Sequence, residues 1–316
     1  MNCPYDKIPA SFRGQLLQSE PMSLHTSLKV GGPADLFAIP EDVEDLKVLL
    51  SWLGEQNIPW LPIGRGYNLL VRDKGIRGAV ISLERFCRIE RVPHSHPDPP
   101  FIPQRVLEGK GGYIRAEAGA ENLAVVRFAQ KTGLGGIGFI SGIPGTIGGA
   151  IKMNAGAYGE GILERTVQLT LLRSGNIRDF RIEELDYGYR HLKLQDGDII
   201  LAAQLKLDER EALLTEEEIR KDSELRRSKH NVGYPSAGSF FKNPDGKAAW
   251  RLIDAAGMRG ARVGGAQSSE VHSNFLVNTG EASTQDFLDL AERIINAVFA
   301  TSGVTLEEEV RIVGEI

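Results

Sequence analysis

Helical, strand-like and aperiodic stretches alternate along this chain. Between Pro40 and Leu53, the apolar residues Val43, Leu46, Leu50 and Leu53 recur at helical intervals. A proline and two acids, Glu41 and Asp42, stand at the start, and together these predict a helix over that span. Trp60–Ile63 and Ala79–Leu83 read as short strands, the second buried. Tyr113–Ala120 alternates Ile114, Ala116 and Ala118 in strand fashion, and Glu121–Lys131 reads as a helix. Further strands are marked by Val167, Leu169 and Leu171 and by Ile199–Leu207. Thr215-Glu216-Glu217-Glu218 has the form of a capping box and opens a charged helix towards Arg227. Phe275–Val277 is a short strand, and Ser283 caps a helix with Phe287, Leu290, Ile294 and Val298 on one face. Glu309–Val313 alternates as a last strand. Val92–Gly112 is rich in Pro, Gly and His without a period, and predicts a long surface hairpin loop. With a change of character near residue 210, this order indicates a mixed α/β or α+β protein of at least two lobes.

Length and composition sharpen that picture. A chain of 316 residues allows two or three compact units, and 41% hydrophobic with 25% charged residues is ordinary for a globular core. Glycine is in excess, at 36 residues without a collagen period, which marks sharp turns and close backbone approaches. Cys3 and Cys87 stand far apart, so neither a disulfide framework nor a cysteine zinc site is expected. His94 and His96 have no carboxylate or cysteine cluster beside them, and no metal site is expected. No apolar run approaches the roughly 18 residues of a membrane span. Met1–Ala10 lacks the pattern of a signal peptide, and the expected compartment is the cytoplasm. A net charge of −5 argues against nucleic-acid binding. From Arg226 to Arg262, however, eight Lys and Arg face only Asp245 and Asp254. That local excess suits an anionic small molecule or, equally, a solvated basic face.

The chemistry concentrates in glycine loops. Gly64-Arg65-Gly66-Tyr67-Asn68-Leu69-Leu70 follows a strand-like segment, and Ser141–Ala150 follows an apolar one, with eight glycines between Gly133 and Ala150. Successive glycine N–H groups can converge on a phosphate oxygen. Neither loop carries the Gly-Lys-Ser/Thr of a P-loop, and Gly133-x-Gly-Gly-x-Gly138 lacks dinucleotide-fingerprint spacing. Either alone reads as a tight turn; the two together favour a bound diphosphate.

These loops, with Asn154-Ala155-Gly156-Ala157-Tyr158-Gly159, resemble the FAD loops of the UDP-N-acetylenolpyruvoylglucosamine reductase family. The likeness continues in family order through Tyr187–Arg190, Pro235–Pro244, His272–Phe275 and Leu306–Arg311, and the spacing around Gly233–Ser239 is similar to the shorter, type II subtype. It implies a vanillyl-alcohol-oxidase-type FAD-binding fold of two lobes, 1–84 and 85–212. A substrate-binding α+β domain, 213–302, and a C-terminal strand returning to the active site, 303–316, complete the expectation. Non-covalent FAD would be held by Gly64, Arg65, Gly66, Tyr67, Asn68, Leu69, Ile143, Pro144, Gly145, Thr146, Gly148, Gly149, Asn154, Ala155 and Gly156. The chain departs from the family at Tyr67, where serine is usual, at Asn231, where glutamine is expected, and in its longer loop at 93–112.

The reaction the resemblance implies is NADPH-dependent reduction of UDP-N-acetylglucosamine enolpyruvate to UDP-N-acetylmuramate, a step of peptidoglycan precursor synthesis. Hydride would pass from reduced flavin to the enolpyruvyl β-carbon and a proton from Ser239 to the α-carbon. A carbanion beside a carboxylate is basic enough to take a proton from a hydroxyl held close. Arg190 would stabilise the substrate carboxylate, and Glu309, to be useful there, would need a raised pKa. Implied substrate contacts are Tyr189, Lys242, Asn243, His272 and Asn274. The resemblance further implies a monomer or at most a weak dimer, with no nucleic-acid or membrane partner. Two other readings are compatible with glycine loops: a flavin oxidase of the same fold acting on another small molecule, and a non-catalytic nucleotide-binding protein.

Overall fold

The computed structural model describes residues 8–93, 111–157, 159–209, 217, 220, 232–244 and 246–316. Apart from residues 217 and 220, which are helical, the predicted helix at Thr215 lies outside the described residues, as do His94, His96, Asn231 and most of the loop expected at Val92–Gly112. Where that loop was expected to begin and end, Val92 closes one strand, and Gly111 and Gly112 open the next.

The first layer is a four-stranded mixed sheet of β1 (Gln15–Pro21), β2 (Pro33–Ile39), β3 (Trp60–Ile63) and β5 (Ile76–Ser82), in the order β1-β2-β5-β3. β5 pairs in parallel with both β2 and β3. Between β2 and β3 runs α1 (Val43–Glu55). It starts at Val43 rather than Pro40, because the Asp42 carboxylate accepts the Asp45 N–H at 2.9 Å and so sets the N-cap. Leu46, Leu49, Trp52 and Leu53 are its buried residues, while Val43 and Leu50 are only partly covered. The buried stripe is therefore rotated from the expected one towards Leu49 and Trp52.

The second layer is antiparallel. β6 (Ile89–Val92), β7 (Gly111–Glu117), β8 (Thr166–Arg173), β9 (Asn176–Arg181) and the long β10 (Ile199–Glu209) order as β9-β8-β10-β7-β6. β10 lies at the centre and is buried over most of its length, as a near-continuous apolar run should be. The helix α2 (Asn122–Lys131) and the short α3 (Ile147–Lys152) belong to this lobe. A single hydrophobic core joins both layers, running from Leu36 and Leu53 through Ile114 and Val126 to Leu169 and Leu205.

The third unit has its own core of Phe240, Phe241, Ile253, Leu276 and the apolar face of α5 (Thr284–Ser302). Its antiparallel sheet runs β11 (Ser236–Ser239), β14 (Phe275–Asn278), β13 (Ala266–Ser268) and β12 (Arg262–Val263), with α4 (Ala249–Ala255) beside it. Ser283 caps α5 as expected, and Phe287, Leu290, Ile294 and Val298 are fully buried. This core also takes in Leu28, Val30 and Leu70 from the first lobe. The tie is completed by β4 (Leu69–Val71), which pairs in parallel with β15 (Arg311–Val313). The final strand is thus shorter than expected: Glu309 lies before it, and Glu308 bridges to Phe241 instead. Among the described residues no helix is long and apolar enough to cross a membrane.

One further link fixes the third unit to the first. The Asp73 carboxylate, just past β4, accepts the N–H groups of Thr284 at 2.9 Å and Gln285 at 3.0 Å, and the Thr284 hydroxyl donates to Val71 O at 2.6 Å. A carboxylate at a helix N-terminus satisfies free donors and complements the helix dipole. Asp73→Ala should therefore cost about 1 kcal/mol in urea unfolding, with a greater loss at low than at high salt. An unchanged midpoint would show that the contact contributes nothing.

Candidate active site

The site is assembled where three chain segments meet. The Arg190 guanidinium donates from Nε to Glu309 Oε1 at 2.7 Å, from Nη1 to Asn154 O at 3.2 Å and from Nη2 to Gly156 O at 3.1 Å. Arg190 itself has φ +54, a left-handed conformation that non-glycine residues rarely adopt. Such strain is retained only where surrounding bonds over-determine it, as those three bonds do. Three of the five guanidinium N–H donors are thereby engaged.

Glu309 is held from both sides by its backbone. Its N–H donates to Phe240 O at 2.8 Å, and its carbonyl accepts the Asn68 amide at 3.0 Å. Phe240 follows Ser239, so the segment carrying the serine is hydrogen-bonded to the one carrying the glutamate. β11 ends at Ser239 with a register shift against β14, and Gly238 there has φ +79. A bulge of this kind re-aims the next side chain. Burial raises the pKa of Glu309, while Arg190 and, more weakly, Lys242 pull it down; burial prevails.

The glycine loops face one another. A side chain on Gly64 would collide with Thr146 Oγ1, and one on Gly145 would project to within 3.9 Å of Tyr67 Cδ2 and of Asn122 Nδ2. Arg65 forms an ion pair with Glu121, which bridges to Thr146. Along this seam Ser141 Oγ, Thr146 Oγ1 and Asn122 Oδ1 are buried with no hydrogen-bond partner among the described residues. Such atoms are costly to leave unpaired. Bare backbone flanked by orphaned polar atoms fits a polar cofactor lying along both loops. The N–H groups of Ile147 and Gly148 are not open to a phosphate, because they donate to Ala120 O at 2.9 Å and Ala118 O at 2.8 Å. Gly148 is needed for close packing on Ala118.

Not every expected residue is free for a ligand. Asn154 is buried, and its side chain donates to Gly188 O at 2.8 Å and accepts the Leu163 N–H at 3.1 Å. The Ala155 carbonyl accepts Ile162 N–H at 3.0 Å, and the Gly156 carbonyl accepts Arg190. The Asn154 and Gly156 carbonyls form the Arg190 cradle. Asn274 is likewise engaged. At 2% exposure it donates to Phe241 O at 2.8 Å and accepts Phe241 N–H at 2.9 Å, so its amide ties Phe241 to the neighbouring strand.

The other expected substrate contacts stay near the surface. Tyr189 is exposed beneath the Arg190 guanidinium, 5.2 Å from ring centre to Cζ. Lys242 pairs with Glu307, and the Asn243 side-chain Oδ1 accepts Ala249 N–H at 3.0 Å. His272 packs against Phe275 with ring centres 4.6 Å apart, and burial, then the Arg259 charge, lowers its pKa. The basic stretch is partly neutralised, since Arg259 pairs with Asp254 as Lys242 does with Glu307. Ile143 accepts from Asn122, Pro144 and Gly149 are exposed, and Leu69 lies in β4.

Sequence reasoning missed Asn122, Glu121 and Lys152. Lys152 Nζ donates to Leu192 O at 3.2 Å, and burial, then the Arg311 charge, lowers its pKa. A lysine inside an otherwise apolar glycine loop was the available signal. Asn122 and Glu121 had none, because their positions look like an ordinary helix start.

Comparison with known proteins agrees with this architecture. Residues 34–177 match the family described as FAD binding domain, and residues 230–313 match the family described as UDP-N-acetylenolpyruvoylglucosamine reductase, C-terminal domain. The fold and site thus define an FAD-dependent oxidoreductase with the two-lobed flavoprotein fold and a C-terminal α+β lobe. The UDP-N-acetylenolpyruvoylglucosamine reductase of Pelobacter propionicus is 69% identical over 96% of this chain and 98% of that protein. That of Geotalea uraniireducens is 52% identical over 98% and 97%. The crystal structure of the Thermus caldophilus reductase superposes with a TM-score of 0.76 at 31% identity, covering 95% of this chain and 98% of that one. The chain belongs to the UDP-N-acetylenolpyruvoylglucosamine reductase family.

Glu309 supplies a test of the site's electrostatics. Its folded pKa lies above its unfolded value, so the folded chain binds the extra proton between the two. Its contribution to stability is present in full below the ordinary carboxylate range and is lost as pH rises through the raised folded value. Arg190→Met removes the nearest cation and should move the Glu309 titration higher still. Carbon NMR titration, with Glu309→Gln for assignment, reads this directly. A downward move would mean that Arg190 does not govern the carboxyl.

Proposed function

We propose that the chain reduces UDP-N-acetylglucosamine enolpyruvate to UDP-N-acetylmuramate with NADPH as reductant, serving peptidoglycan precursor synthesis in the cytoplasm. The observation that carries this reading is the Arg190–Glu309 pair, set between the glycine-loop lobes and hydrogen-bonded through Glu309 to the strand of Ser239. Bound FAD would supply the hydride chemistry, taking hydride from NADPH and yielding it to the enolpyruvyl β-carbon. The loops at 64–69 and 141–149, with Ser141 and Thr146 hydroxyls and the Asn122 amide, would hold it.

The protein's own share is charge placement and one proton. Arg190 keeps two N–H donors beyond its three fixed bonds, and these suit the substrate carboxylate, whose negative charge grows as hydride arrives. Glu309, inclined to its neutral form by burial, stands beside that carboxylate with less repulsion than an ordinary glutamate. The Ser239 hydroxyl gives its proton to the α-carbon. Lys242 and the surface around Tyr189, Asn243 and His272 receive the sugar nucleotide. We assign 1–84 and 85–212 to the two cofactor lobes. Residues 213–302 form the substrate domain, and 303–316 form the strand that brings Glu309 back.

Ser239→Ala should leave bleaching of the flavin band by NADPH nearly intact while slowing its return on adding the enolpyruvyl sugar nucleotide by roughly 10²–10⁴. Stopped-flow absorbance separates the two phases; equal loss in both would remove Ser239 from the donor role. The first glycine loop, Gly64–Leu70, offers no histidine to tether a flavin. Denaturation should therefore leave the yellow colour in solution, and colour retained on the precipitate would contradict dissociable FAD.

A further inference from the structure

We propose that Lys152 is a positioning residue for Arg190: its ammonium pins the hairpin that carries the arginine to the end of α3. The inference rests on the reading that Arg190 meets the substrate carboxylate.

The hairpin has little with which to hold itself. It has two rungs, Tyr187 opposite Leu192 and Gly188 opposite His191, and Lys193 N–H closes its base on Asp186 O at 2.9 Å. Two strands alone are marginal in water, and these are very short. From Tyr187 to Leu192 only Leu192 is buried. The turn between the rungs keeps Arg190 at φ +54, a conformation its own backbone resists. Its shape must therefore be imposed from outside.

Among the described residues, four hydrogen bonds join this hairpin to residues 152–156. Two come from Arg190 itself, to Asn154 O at 3.2 Å and Gly156 O at 3.1 Å. The other two run the opposite way, one to each strand. Asn154 Nδ2 donates to Gly188 O at 2.8 Å, and Lys152 Nζ donates to Leu192 O at 3.2 Å. Lys152 thus supplies the bond on the strand that follows Arg190. The base it stands on is firm, because α3 buries Ile147, Ala150 and Ile151.

The position is an expensive one for a cation. Lys152 is half-buried, and burial, then the Arg311 charge, lowers its pKa. Asp198 favours the ammonium, yet its carboxylate is held by Arg173 at 2.8 and 2.6 Å. A methionine would fill the same space without the desolvation cost. What the lysine adds is a charge-assisted bond to one carbonyl, two residues from Arg190.

The test compares Lys152→Met, which keeps the stem and removes the donor, with Lys152→Arg, which keeps a cationic donor. On flavin-free chain, exchange of the Arg190 Nε–H with water is read by nitrogen-edited NMR and assigned by its loss in Arg190→Met. It should quicken roughly tenfold in Lys152→Met and stay at the parent rate in Lys152→Arg. On FAD-loaded chain, bleaching by NADPH should be unchanged in both variants. Return of the flavin band on adding the enolpyruvyl sugar nucleotide should slow roughly tenfold in Lys152→Met alone. The urea midpoint of Lys152→Met should stay at or above the parent's, since the desolvation cost leaves with the charge. Parent-rate Nε–H exchange in Lys152→Met, or equal quickening in both variants, would overturn the positioning role. So would a lower midpoint with both flavin phases slowed alike, the mark of a merely structural lysine. If the Nε–H responds as expected while flavin reoxidation does not, the reading of Arg190 falls and the hold of Lys152 upon it stands.

Discussion

The whole arrangement depends on the parallel pairing of β15 with β4. Three residues at the end of the chain, Arg311–Val313, lie against Leu69–Val71, the continuation of the first glycine loop. Asn68 strengthens this junction at both levels. Its carbonyl accepts Arg311 N–H at 3.0 Å, and its amide reaches Glu309 O at the same distance. Through that one residue the cofactor loop and the acidic end of the chain become a single rigid part. Phe240 adds the third unit, because its carbonyl takes the Glu309 N–H. Removing the pairing would therefore not merely loosen a strand; it would free the Glu309 segment from the first lobe, leaving it tied to Phe240 and Phe241 of the third unit.

Much of the fold was legible in local chemistry. Ser283 and the apolar face of α5 were readable because capping and helical periodicity are short-range properties. The glycine loops were readable for the same reason, since close backbone approach leaves a compositional mark. What escaped was set by partners distant in sequence. The face of α1 turned towards Leu49 and Trp52 because its core is shared with the antiparallel sheet, which a single helix cannot announce. Asn274 had the residue type of a ligand contact, yet its amide is consumed by Phe241, a pairing no spacing rule reveals. Likewise, the N–H groups of Ile147 and Gly148 are taken by the carbonyls of Ala120 and Ala118 in the turn after β7.

The basic stretch shows the same limit from the charge side. Counting cations in sequence overstated the local field, because Lys242 pairs once folded with Glu307, an acid from outside the counted stretch. The useful cation for the site lies outside that stretch altogether, at Arg190. Its strained backbone was invisible in a sequence where arginine gives no hint of φ +54.

Glu309 brings these threads to one electrostatic argument. A carboxyl 2.7 Å from a guanidinium would ordinarily be driven to its charged form, yet burial wins here and raises its pKa. Burial therefore outweighs the cations, and because the group is shielded from solvent its ionisation responds to a third charge placed beside it. On the proposed assignment, that third charge is the substrate carboxylate, which draws on the same guanidinium and repels an ionised neighbour. Both actions push Glu309 towards its neutral form. Substrate binding and proton uptake at Glu309 then favour each other, so the site lowers its own negative charge at the moment the reaction adds more. An exposed glutamate would lack this property, because solvent would screen both partners. The burial of the Glu309 carboxyl, on a backbone held by Asn68 and Phe240, is thus what makes its chemistry responsive.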